Sequence, residues 1–86
     1  MAVAIDLQIH DAESRKVVRS IARAVCESRR GEWRVRVEES RERQTWSLKV
    51  HGPDRFTWSR MLWVGNGEQH PEFVRTVLED IVALHA

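Results

Sequence analysis

Few groups in this chain could do chemistry. Four histidines stand at positions 10, 51, 70 and 85, and one cysteine at position 26. No two histidines are three or four residues apart, the spacing that would present a metal pair on one helix face. A metal site is therefore not expected. His51 precedes Gly52-Pro53 and reads as a turn residue, and His70 precedes Pro71 and reads as a helix entry. Nucleophilic catalysis would need Cys26 or a serine beside a base. Cys26 falls near the end of a predicted helix, away from the N-terminus where the dipole would lower its pKa, and reads as a small, semi-buried side chain. No nucleophile elbow, phosphate loop or dinucleotide fingerprint is present. Gly65-Asn66-Gly67 is too short to cradle a phosphate and reads as a turn. The paired acids Glu38 and Glu39 lie at a strand end and in a loop. A chain of 86 residues has little room for a deep pocket. These residues predict a non-catalytic protein without a cofactor.

Charge offers a second chemistry. Arg15, Lys16, Arg19, Arg23 and Arg30 fall on the outer side of a predicted first helix, where Arg15, Arg19 and Arg23 stack in one line. They could contact phosphates as a nucleic-acid-binding face, with Arg34 and Arg36 extending it. The outer face of an amphipathic helix is charged in any case, and Glu13, Glu27, Glu32 and Glu38 lie nearby to offset the patch. The formal net charge of +1 supplies no global attraction to nucleic acid or membrane.

The stretch that organises the chain is Trp33 to Val64, which holds all four tryptophans. Trp33, Val35 and Val37 alternate with Arg34, Arg36 and Glu38, the period of a half-buried strand. Trp46, Leu48 and Val50 alternate in the same way with Ser47, Lys49 and His51. Ser40 to Gln44 is polar and short and predicts a loose hairpin loop, and Gly52-Pro53-Asp54 predicts the second turn. The third run, Phe56 to Val64, begins by alternating and then becomes apolar on both faces at Met61-Leu62-Trp63-Val64. That pattern calls for a β-bulge near Arg60 or for a second surface against one face. Parity puts Trp58 and Trp63 on opposite faces unless a bulge intervenes. An exposed tryptophan flanked by Met61, Leu62 and Val64 suits association with a protein better than stacking on a base. These four residues, Met61, Leu62, Trp63 and Val64, form the predicted interface, with a homodimer or another protein as partner.

Two helices flank the strands. Asp11 is placed to cap the first, which should run to about Arg29 and stop at Gly31. Val17, Val18, Ile21, Ala24 and Val25 form its apolar stripe. Pro71 suits the first position of the second helix, whose wide apolar face runs from Phe73 to Leu84. Val3 to Ile9 alternates and fits an edge strand, an extended arm or a first helical turn. The predicted fold is a single α+β domain over residues 1–86. It is a two-layer α/β sandwich in α-β-β-β-α order, with a three-stranded antiparallel sheet, both helices on one face and room for an extra N-terminal strand.

The α-β-β-β-α order resembles that of double-stranded-RNA-binding domains over most of the chain, in element order alone. The resemblance implies RNA contact through lysines at the start of the second helix. The matching stretch here, His70-Pro71-Glu72-Phe73-Val74-Arg75, has no lysine and places an acid there, so it lacks that grip. A single cysteine, no leader-like N-terminus and no apolar run near the ~20 residues of a membrane span predict a cytoplasmic protein without a membrane partner.

Overall fold

The computed structural model describes residues 3–85. Its elements follow the order β1 (Val3–Gln8), α1 (Ala12–Glu27), β2 (Trp33–Ser40), β3 (Thr45–His51), β4 (Thr57–Trp63), a 3-10 turn (Val64–Asn66) and α2 (Pro71–Leu84). The strands form one mixed sheet in the order β1-β2-β3-β4. The predicted α+β class with two helices holds, but the sheet has four strands and is not purely antiparallel. β1 pairs in parallel with β2, Val3 opposite Trp33 and Leu7 opposite Val37. A parallel pair needs a crossover, and α1 provides it. The chain therefore opens with a β-α-β unit that the α-β-β-β-α order does not contain.

The two-residue period runs through the sheet, except that Thr45, on the other parity, is also fully buried. Leu7, Trp33, Val35, Val37, Trp46, Leu48, Val50 and Leu62 share one face and are buried. Val18, Ile21, Val25 and Cys26 of α1 and Val74, Val77, Leu78, Ile81 and Val82 of α2 complete one continuous core over that face. The opposite face, carrying Asp6, Arg34, Arg36, Lys49, His51, Ser59, Met61 and Trp63, is left open.

Local chemistry sets the ends of the elements. The Asp11 carboxylate accepts hydrogen bonds from the backbone N–H and the hydroxyl of Ser14, at 2.8 Å each, and caps α1. These bonds hold its pKa below the usual carboxylate value. α1 ends at Glu27, slightly before the predicted Arg29, and Gly31 takes the left-handed conformation (φ 93°). A β-carbon at Gly31 would come within 2.8 Å of the Pro53 ring, so the turn after α1 packs closely on the second hairpin. At the start of α2, His70 accepts the Glu72 N–H through Nδ1 and Pro71 takes the first helical position.

The first hairpin loop is Arg41–Gln44, and its last residue, Gln44, has φ 53°. The second turn lies one residue later than the sequence implied. The Phe56 N–H donates to the Pro53 carbonyl at 3.1 Å, and the central residues Asp54 and Arg55 both have positive φ, 59° and 63°. That is the primed geometry that matches the twist of antiparallel strands.

Candidate interaction surface

β4 is an edge strand of the sheet. Its register with β3 is unbroken from Thr57 opposite His51 to Trp63 opposite Thr45, so the bulge considered near Arg60 is absent. With the period intact, Trp58 and Leu62 turn to the covered face and Met61 and Trp63 to the open one. The four residues of the predicted interface therefore separate. Leu62 is fully buried and its side chain belongs to the core, which removes it from any surface contact. Met61, Trp63 and Val64 are 37%, 46% and 48% exposed. Val64 has already left the strand and begins the 3-10 turn. The apolar run that alternation could not explain thus contains one core residue, two open-face residues and one turn residue.

The end of β4 is held by the segment that follows it. Glu68 Oε1 accepts the Trp63 N–H at 2.8 Å, and Oε2 accepts from Arg60 Nη2 at 2.9 Å. These contacts, with the backbone bond to Trp63 the largest, hold the Glu68 carboxyl below its ordinary pKa. The Arg60 guanidinium also lies 5.2 Å from the centre of the Phe73 ring. The Gln69 side chain donates to the Leu62 carbonyl at 3.2 Å. Trp63 is therefore exposed on a fixed backbone, the condition under which an aromatic side chain loses little entropy on binding.

The basic residues of α1 do not form one free patch. Arg15 reaches back, and its Nη1 donates to the carbonyls of Ile9 at 2.6 Å and His10 at 2.9 Å, tying α1 to the end of β1. Lys16 lines a groove of about 460 Å³ between the helices, which Glu13, Glu72 and Arg75 also line. Arg19 and Arg23 are exposed and have no ion-pair partner among the described residues. Arg30 is exposed in the turn after α1, where its carbonyl accepts the Trp33 indole N–H at 3.1 Å. Arg34 and Arg36 lie on the open sheet face, the far side of the molecule from α1, and cannot extend a helical patch. Arg36 is also paired with Glu38 at 2.8 Å and Asp6 at 3.5 Å.

The remaining reactive groups are dispersed. Cys26 is buried in the core, and burial pushes its thiol up to about 11. His85 stacks edge-on against Trp33 and Phe56, each 5.5 Å away between ring centres. Among the described residues no three His, Cys, Asp or Glu side chains come together as metal ligands. No helix of those residues is long and apolar enough to cross a membrane. The chain matches no family model, no curated protein and no solved structure.

Proposed function

We propose that this protein is a non-catalytic interaction domain that self-associates through β4 and the turn after it, with Met61, Trp63 and Val64 as the apolar contact. One observation carries this reading. Among the described residues the exposed large hydrophobics are Met61, Trp63, Val64 and Leu84, and three of these are clustered within four positions at one sheet edge. Exposed apolar residues are ordinary when scattered, and clustered ones mark contact surfaces. Tryptophan is also among the residues that dominate interface energetics. Trp63→Ala or Met61→Arg converts a dimer to a monomer and leaves the far-UV circular dichroism unchanged, since neither side chain is in the core. Sedimentation of these variants beside the wild type tests this.

A second reading, nucleic-acid binding by the outer face of α1, is supported by the free guanidinium groups of Arg19 and Arg23. It predicts affinity for DNA or RNA that falls steeply with salt and is abolished in Arg19→Glu/Arg23→Glu. Fluorescence anisotropy at two salt concentrations checks it, and unchanged binding in the double variant removes it.

A further inference from the structure

The backbone of β4 defines how two copies would meet. The Gly52 N–H donates to the Phe56 carbonyl at 2.8 Å, and the Val64 N–H to the Gln44 carbonyl at 3.2 Å. These bonds bracket the β3–β4 ladder and fix its phase. Trp58, Arg60 and Leu62 therefore turn their N–H and C=O groups toward β3. Thr57, Ser59, Met61 and Trp63 turn theirs outward. At Trp63 both outward groups are taken, the N–H by the Glu68 carboxylate at 2.8 Å and the carbonyl by the Glu68 N–H at 3.2 Å. The free edge is thus Thr57, Ser59 and Met61, whose outward groups have no partner among the described residues.

Exposed edges are ordinarily protected by proline, lysine, a bulge or an inward charge. The strand Thr57–Trp63 reads TWSRMLW, without proline or lysine, and its register is unbroken. Its one charge, Arg60, is an inward charge on the covered face, but Glu68 pairs with it at 2.9 Å and it lies over the Phe73 ring, so its charge is offset within the chain.

We infer that this edge pairs antiparallel with the same edge of a second copy about a two-fold axis at Ser59, joining the two sheets into one. The pairing presupposes the self-association proposed above and specifies its geometry. Three outward residues with a central one are complementary to themselves. Ser59 meets the partner's Ser59, and Thr57 meets the partner's Met61. Each pair exchanges two backbone hydrogen bonds. Charge disfavours one neighbouring register. Here Arg60 faces the partner's Trp58. A slip that set Ser59 opposite the partner's Met61 would place Arg60 against the partner's Arg60, and like charges directly opposite are destabilising. The slip would also require the groups at Trp63 that Glu68 already occupies. In the Ser59 register the open faces of both copies lie on one side. Met61 packs beside the partner's Thr57, and Trp63 reaches that residue diagonally.

Site-directed cross-linking tests the register. In a hydrogen-bonded antiparallel pair the α-carbons are about 5.5 Å apart, within the ~4.4–6.8 Å range of a disulfide. Ser59→Cys is therefore expected to give a covalent dimer under mild oxidation. Thr57→Cys, also at an exposed position, lies four residues from its own mate, roughly 14 Å at ~3.4 Å per residue, and stays uncrosslinked. The native Cys26 is buried and does not compete. Ser59→Pro removes only an outward N–H, a position where edge strands tolerate proline, and is expected to be a folded monomer. A dimeric wild type whose Ser59→Cys form fails to cross-link, or cross-links no better than Thr57→Cys, overturns the register and leaves self-association standing. A Ser59→Pro variant that stays dimeric overturns edge pairing. A wild type that is monomeric at tens of micromolar overturns the parent reading and the register with it.

Discussion

Arg55 shows how a residue can sit in a conformation that suits the fold better than its own side chain. Its φ of 63° is left-handed, beside Asp54 at 59°, and outside glycine this region costs about 1–2 kcal/mol. The hairpin imposes it, because only a primed turn matches the twist of β3 and β4. Arg55→Gly creates the preferred Asp-Gly turn and removes that strain, at the cost of a more flexible unfolded chain. A net stabilisation of about 0.5–1 kcal/mol is expected, measured as a higher urea midpoint with unchanged slope. Residue chemistry of this local kind was largely legible. The Asp11 cap and the Pro71 start depend on neighbours in sequence, whereas α1 ends at Glu27, ahead of the expected stop at Gly31. The role of Arg15 was not, because the carbonyls it reaches are presented by the packing of α1 against β1. A line of arginines four apart describes the face of a helix but not where long side chains turn.

At the scale of the element, Glu68 decides how β4 ends. Its carboxylate binds both the Trp63 backbone and Arg60, and these bonds depress its pKa below 4.5. A carboxyl whose folded pKa is depressed stabilises the fold fully above its unfolded value and loses that contribution as pH falls through the folded value. The stability difference between wild type and Glu68→Gln should therefore be constant near neutrality. It should shrink as pH drops below 4.5 and vanish in stronger acid. Denaturant melts of both proteins across that range check it, and a difference independent of pH would refute it. The other strands were legible because Trp33–Val37 and Trp46–Val50 alternate cleanly. β1 alternates as well, yet its partner lies thirty positions away, Val3 against Trp33. A period of two cannot say whether a strand finds a neighbour, nor that the neighbour runs parallel. In the apolar run Met61–Val64, parity separates Trp63 from Trp58, but a run of adjacent apolar residues does not show that Leu62 alone turns into the core.

The whole molecule folds around one core. Its radius of gyration of 12.1 Å equals the roughly 12 Å expected of a compact domain of this length. Both helices pack on one sheet face, and among the described residues no element covers the other. The open face and the β4 edge are where the chain has surface to offer, and a contact there adds to a finished fold without completing it. This is why the β4 variants separate association from folding. The most direct test is sedimentation velocity of the wild type from tens of micromolar downward, with Trp63→Ala run in parallel. The account predicts a wild-type dimer that dissociates on dilution and a folded, monomeric Trp63→Ala throughout. A wild type that sediments as a monomer at every concentration would contradict it.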